Sequence, residues 1–229
     1  MTVRRLLWGT VLVLALFNVA RGVGLFGPAA DVIELALALV LTVAALRGTL
    51  SRSDLGLERQ HLASGFRWGG AAFALVVAVV VVAAVLPGTS GFLHDSRAEV
   101  SAWQLLFDVT IRIGLLTVIP EELLFRGVLL GASIKEWGLR VGVVVASVLF
   151  GLWHIFPTLS TAGGNEQFYQ ADGSTAGRLG LVVGAVIFTT IAGLVFSWLR
   201  VRSRSIVAPM IAHLSTNGVA LIVAWILAR

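Results

Sequence analysis

Seven apolar stretches, each near the length of a bilayer crossing and separated by short arginine-bearing links, constrain this chain more than any other feature. A helix needs about 20 apolar residues to cross about 30 Å of hydrocarbon. The stretches are Leu6–Ala20, Val32–Leu46, Gly69–Leu86, Leu105–Leu130, Val141–Phe156, Leu179–Leu199 and Ile206–Leu227. Hydrophobic residues make up 58% of the chain and charged residues 13%, about half the roughly 25% of a soluble domain. Water-facing side chains are too few to cover such a surface, so most of it must face lipid. The expectation is an all-α, polytopic transmembrane bundle of about seven spans.

The placement of basic residues gives the bundle a direction. With the N-terminus inside, Arg4, Arg5, Arg47, Arg52, Arg59, Arg67, Lys135, Arg140, Arg200, Arg202 and Arg204 fall on the cytoplasmic side. Only Arg21, Arg97, Arg178 and Arg229 fall opposite, and Arg112 and Arg126 lie within a span. Eleven against four is the bias expected of cytoplasmic loops. The net charge of +5 therefore reads as a topology signal, with no nucleic acid as partner. The run after Arg4 and Arg5 ends Phe17, Asn18, Val19, Ala20, Arg21 without a small-x-small cleavage site, so it reads as an uncleaved anchor. Pro157–Arg178, with Gly163, Gly164, Asn165, Asp172, Gly173 and Ser174, reads as a polar non-cytoplasmic loop. The absence of cysteine excludes a disulfide framework, a thiolate metal site and a cysteine nucleophile.

Against this apolar background three helices carry polar groups at depths where each ionisable side chain costs about 2.5–3.5 kcal/mol on the insertion scale. Such groups mark function by default. The fourth stretch holds Pro120, Glu121, Glu122 and Arg126. Glu122 and Arg126 are one helical turn apart and suit an ion pair. Glu121 projects about 100° away and meets different neighbours, and two acids in unlike surroundings can divide their roles. Pro120 removes a backbone donor and favours a local bend. In the fifth stretch Phe150 and His154 share a face, and in the seventh His213 and Asn217 do. At 1.5 Å per residue, Glu121 lies about 14 Å, His154 about 20 Å and His213 about 10 Å from the cytoplasmic ends of their spans. Glu121, His154, His213 and Asn217 are thus expected to converge in one cavity, two of the three depths favouring a cytoplasmic opening.

A glutamate, two histidines and an asparagine supply a base, proton carriers and hydrogen-bond donors. No serine stands beside a base, so activated water is the natural nucleophile. Glu121 with His154 is expected to take a proton from water attacking a carbonyl, while His213 and Asn217 stabilise the oxyanion. Glu121, His154 and His213 also match a catalytic zinc site with an open fourth position. The H-E-x-x-H signature is absent, and a reaction requiring no cofactor is the preferred expectation. The inferred reaction is peptide-bond hydrolysis in or beside the membrane.

The motifs EELLFRG at Glu121–Gly127, FGLWH at Phe150–His154 and HLSTN at His213–Asn217 resemble the EExxxR, FxxxH and HxxxN motifs of the CPBP (Abi) family. That family groups CAAX prenyl endopeptidases with bacteriocin-processing and related intramembrane proteases, often called metalloproteases. The resemblance covers roughly Asp108–Asn217 and implies a catalytic core at residues 101–229, with residues 1–100 as accessory helices. It implies that Glu121 is the principal base with His154 as partner, that Glu122, Arg126 and Phe150 organise the site, and that His213 and Asn217 hold the oxyanion. It also implies a peptide or protein substrate at the bilayer, of CAAX type in the best-known members, and an active site open to the cytoplasm. The Ala/Val/Gly/Arg-rich composition fits a bacterium of high genomic GC, hence a bacterial inner (plasma) membrane.

A non-catalytic scaffold or immunity protein is the main rival, and a transporter the second, although no internal repeat is visible. The remaining polar groups read more simply. Asp108 and Arg112 suit an ion pair near the outer end of the fourth span. Glu34 is expected to reach headgroup water from the outer end of the second, and His61 and His94 to sit in solvated loops. Trp8, Trp103, Trp198 and Trp225 suit an interfacial belt.

Overall fold

The computed structural model describes residues 2–86, 89, 93, 98–161 and 174–229. His94, Arg97, Gly163, Gly164, Asn165, Asp172 and Gly173 lie outside the described residues. Among those described the chain is helical, with no strand. The helices are α1 (Val3–Gly22), α2 (Ala30–Gly48), the short α3 (Arg52–Leu55), α4 (Leu62–Val85) and a continuous α5 over residues 102–137. They continue with α6 (Leu139–Trp153), α7 (Ile155–Thr161), α8 (Thr175–Ser203) and α9 (Val207–Leu227).

Six helical segments are long and apolar enough to cross a membrane: Val3–Gly22, Gly27–Gly48, Arg52–Val85, Leu139–Leu159, Thr175–Ser203 and Val207–Leu227. The remaining expected span, Leu105–Leu130, is helical throughout. It is divided into alternating α and π segments, none of which alone has the length of a crossing, and it carries Asp108, Arg112, Glu121, Glu122 and Arg126.

Helix α5 tolerates those charges by being enclosed. Every residue from Pro120 to Ser133 is buried, whatever face of the helix it occupies. Helices α1, α2, α3, α6, α8 and α9 all pack on this run. Protein therefore replaces lipid as the solvent of the charged groups, the condition under which polar groups persist at membrane depth. Around them the core is closed by Leu14, Phe17, Phe125, Phe150, Phe196 and Ala212.

The bend expected at Pro120 takes a specific form. Pro120 sits in a single α-turn, Ile119–Glu122, between two π-helical runs, Asp108–Val118 and Leu123–Leu129. In the widened ladder Ile119 N–H donates to Gly114 O, and Leu130 N–H reaches Phe125 O. A proline that cannot donate is accommodated by shifting its neighbours to i→i+5 bonds, an arrangement frequent at functional sites. Where α6 meets α8, small residues allow close approach: a Cβ on Gly193 would stand 3.0 Å from Ser147 Cα, and one on Gly151 2.7 Å from Val186 O.

The two ends of the bundle differ in charge. At one, Lys135 Nζ pairs with Asp54 at 3.1 Å, and Ile206 N–H donates to Gly56 O at 3.0 Å. Arg200, expected to be a topology signal, is buried there and donates to Ser53 O and Asp54 O at 2.8 and 3.0 Å. It thereby caps the carbonyls at the end of α3. At the other end lie Arg21, Asp31, Asp108 and Arg112, around a cavity of about 540 Å³. Asp108 and Arg112 pair at 3.3 Å, as expected.

Candidate active site

Helix α5 projects its two acids toward different partners. Glu122, fully buried, accepts from Arg126 Nη1 at 3.0 Å, the expected one-turn ion pair. The same Glu122 oxygen, Oε1, also meets His213 Nδ1 at 2.9 Å. Glu121, 5% exposed, accepts from Trp153 Nε1 through its Oε1 at 3.0 Å. Its second oxygen, Oε2, is buried without a hydrogen-bond partner and lies 3.8 Å from His213 Nε2. His213 on α9 thus spans both glutamates, one ring nitrogen toward each.

This geometry assigns the His213 proton. A carboxylate at 2.9 Å calls for a donor, so Nδ1 carries hydrogen and Nε2 faces Glu121. At 3.8 Å the Nε2 and Oε2 atoms are too far apart for a direct hydrogen bond. The two atoms stand near van der Waals distance, with Oε2 otherwise covered by protein.

Arg126 is held by aromatic faces as well as by Glu122. Its guanidinium carbon lies 3.8 Å from the Phe150 ring centroid and 5.0 Å from that of Phe196. Cation–π contact of this kind strengthens when desolvated, and Arg126 is 1% exposed. Phe150 also stands edge-on to His213, with centroids 5.9 Å apart, and to His154 at 4.6 Å.

The structure brings Glu121, Glu122, Arg126, Phe150 and His213 together, whereas His154 and Asn217 flank that group. His154 caps the C-terminus of α6, half-buried, its Nδ1 2.8 Å from Phe150 O. Trp153, rather than His154, touches Glu121. Asn217 is exposed, receives a 3.5 Å bond from Thr216 Oγ1, and lines the 540 Å³ cavity one turn beyond His213.

Three contributing residues were not expected. Trp153 shares the Phe150 and His154 face at i+3, a spacing the sequence displays. Asn18 of α1 donates to Trp153 O at 3.1 Å and fixes the end of α6. Glu34, expected near headgroup water, is 1% exposed and bonds Arg21. The correction arises because α1 and α5 close over this turn of α2.

His213 Nδ1 bonds Glu122 and His154 Nδ1 approaches the Phe150 carbonyl oxygen, contacts that orient each ring and leave its Nε2 for a further partner. Among the described residues no three His, Asp or Glu side chains form a metal-binding group.

A buried carboxyl with one oxygen free of protein partners, a carboxylate-oriented histidine 3.8 Å from it, and an exposed amide one turn beyond are parts suited to hydrolysis by activated water. No curated protein and no solved structure matches the chain. A family model does: that described as Type II CAAX prenyl endopeptidase Rce1-like matches residues 101–219, just over half of the chain and the stretch holding Glu121, Glu122, Arg126, His213 and Asn217. This protein belongs to that family, the CAAX prenyl endopeptidases of the CPBP group of membrane proteases.

Proposed function

We propose that this protein is an intramembrane endopeptidase in which Glu121 and His213 hold the water that cleaves a peptide bond of a membrane-associated substrate. The observation that carries the reading is the 3.8 Å approach of His213 Nε2 to Glu121 Oε2, an oxygen without a protein hydrogen bond, with Trp153 occupying the other Glu121 oxygen. Water admitted against these two atoms loses a proton to Glu121 as its oxygen attacks the carbonyl carbon. The oxyanion forms on the cavity side, where the Asn217 amide donates to it. Collapse breaks the C–N bond, and the proton that Glu121 took from water passes to the leaving amine, completing a carboxylate and an amine and restoring the Glu121 carboxylate. In this reading His213 is the immediate partner of Glu121, because its ring faces the carboxyl. Glu122 and Arg126 orient His213, and the cycle needs no metal.

The substrate is a peptide or protein presented at the bilayer. An apolar groove of about 310 Å³, lined by Val11, Leu14, Phe125, Leu129, Trp153 and Phe156, runs beside Trp153 and offers room for an apolar segment or chain. That feature supports a lipid-modified substrate of CAAX type.

The seventh span in this reading is α5, giving a cytoplasmic N-terminus in a bacterial plasma membrane. The resemblance of the motifs implies an opening to the cytoplasm. The polar cavity that Asn217 lines is at the end away from Lys135 and Arg200, so with that topology it faces the opposite side. The test of the function is cleavage by purified protein in nanodiscs, using internally quenched peptides with and without an isoprenoid and identifying products by mass. A new C-terminal fragment supports the endopeptidase. A scaffold or transporter would release none.

A further inference from the structure

Away from Glu121 and His213, residues of α4 and of the end of α8 line a second polar cavity. It measures about 440 Å³ and is lined by Ser64, Arg67, Trp68, Ala71 and Arg202, within the roughly 300–1,000 Å³ of small-molecule sites. Helical spacing builds it: Ser64, Trp68 and Ala71 share a face of α4 with Arg67 beside them, and Arg202 stands one turn beyond Trp198 on α8. Trp68 and Trp198 meet edge to face, their ring centroids 5.3 Å apart, and the Arg202 guanidinium carbon lies 5.0 Å from the Trp68 centroid. The indole therefore joins the two helices and holds the arginine over its face.

The polar groups of this lining are donors that the protein leaves unused. Among the described residues neither Arg67 nor Arg202 has a carboxylate partner, and Ser64 Oγ and Trp68 Nε1 bond no protein acceptor. The acid nearest in sequence, Glu58, faces His61 at 3.3 Å, and no Asp or Glu lines the cavity. Two guanidinium groups, a hydroxyl and an indole N–H suit the oxygens of a phosphate, which the planar arginine fork matches two at a time. With no carboxylate present to meet a choline or ethanolamine ammonium, a headgroup of net negative charge is favoured.

Position decides how such a phosphate arrives. Arg67 lies in the second turn of α4 and Arg202 in the last turn of α8. Toward the middle of both helices the surface is apolar and exposed, with Phe73 and Leu75 on α4 and Val195 and Trp198 on α8. A free phosphate gains nothing from that surface, whereas the acyl chains of a phospholipid lie along it while the headgroup sits at the arginines. Tryptophan is the residue of this interfacial level, and basic pockets between spans hold anionic headgroups there.

We propose that this cavity binds the phosphate of an anionic membrane phospholipid, Arg67 and Arg202 taking its oxygens and Ser64 and Trp68 completing the seat. The site shares no residue with the catalytic group, and its test requires no cleavage.

The test places full-length protein in nanodiscs of phosphatidylcholine with a minority of phosphatidylglycerol and counts retained lipids by native mass spectrometry. The wild type is expected to keep one phosphatidylglycerol in preference to phosphatidylcholine. Arg67→Gln with Arg202→Gln is expected to weaken that retention by about 10–30-fold, as for two basic contacts at the membrane surface. Arg4→Gln with Arg5→Gln removes the same charge outside the cavity and is expected to retain the lipid as the wild type does. Arg202→Lys keeps the charge but not the planar fork, and several-fold weaker retention is expected; if the double variant fails to fold, wild-type retention in Arg202→Lys overturns the proposal. Equal losses in the two double variants, or a wild type that keeps both lipids equally or neither, also overturn it. Excess inorganic phosphate, added in a separate arm, is expected to displace little lipid. Complete displacement would make free phosphate the ligand and contradict the lipid site.

Discussion

His213 Nε2 lies 3.8 Å from Glu121 Oε2 while His213 Nδ1 is bonded to Glu122 Oε1 at 2.9 Å. One imidazole is thereby oriented by one glutamate and turned toward the other. The arrangement resembles a carboxylate-oriented histidine, with the difference that the group facing it is a second acid and the nucleophile is water. The predictions below depend on this division of roles between two adjacent residues.

Trp153 should matter for rate more than for binding. Trp153→Phe keeps an aromatic ring against Phe17 and Phe125 but removes the donor to Glu121 Oε1. A lost hydrogen bond to a charged acceptor is worth about 1.5–3 kcal/mol, or roughly tenfold to a hundredfold in rate at about 1.4 kcal/mol per decade. Steady-state kinetics should show that loss in kcat with KM little altered. An unchanged kcat would mean that the indole only fills space.

Arg126 and Glu122 form a buried pair, 1% and 0% exposed. Removing one partner of such a pair costs about 3–5 kcal/mol because the other charge is stranded. Arg126→Met should therefore unfold at a clearly lower temperature in detergent, and Arg126→Met with Glu122→Gln should recover much of that stability. The double variant should remain inactive, since His213 loses the carboxylate that orients it. Recovery of activity along with stability would contradict that role for Glu122.

The natural absence of cysteine makes accessibility measurable without background. In sealed membrane vesicles of known orientation, Ala220→Cys on the polar cavity and Gln60→Cys at the Arg200 end should react with a membrane-impermeant maleimide from opposite sides. The cytoplasmic N-terminus places Gln60→Cys on the cytoplasmic side. Labelling of both from one side would overturn the assignment of the two ends, and Ala220→Cys labelled from the cytoplasm would restore a cytoplasmic opening.

Chelation should leave cleavage intact, because the proposed route gives the activation of water to Glu121 without a metal. Activity lost on chelation and restored by one equivalent of zinc would contradict the metal-free route.

What could be read in the sequence followed from spacing within single helices. The Glu122–Arg126 pair and the common face of His213 and Asn217 needed only the 3.6-residue period. The basic residues at Lys135 and Arg200 marked one end of the bundle for the same local reason. What could not be read depended on helices meeting. Glu34 looked like an end-of-span acid because nothing in α2 says that Arg21 and helix α5 close over it. Arg200 looked like a surface charge because the carbonyls of Ser53 and Asp54 that it caps are about 147 and 146 residues away in sequence. Trp153 was visible as part of a face but had no marked partner, since an indole donor becomes informative only when an acceptor is opposite it. The π-helical runs flanking Pro120 show the intermediate case: the proline signals a disturbance, and packing on all sides decides that it becomes a widened ladder rather than a kink.

The pairing of Glu121 with His213 is tested most directly by a double-mutant cycle on the rate of peptide cleavage. Glu121→Gln and His213→Gln should each lower kcat by about 10²–10⁴-fold, the range for a general base. Combined, they should be scarcely worse than either alone, as for groups that act as a unit. Additive losses, or cleavage that survives Glu121→Gln, would contradict the assignment of one water held between these two side chains.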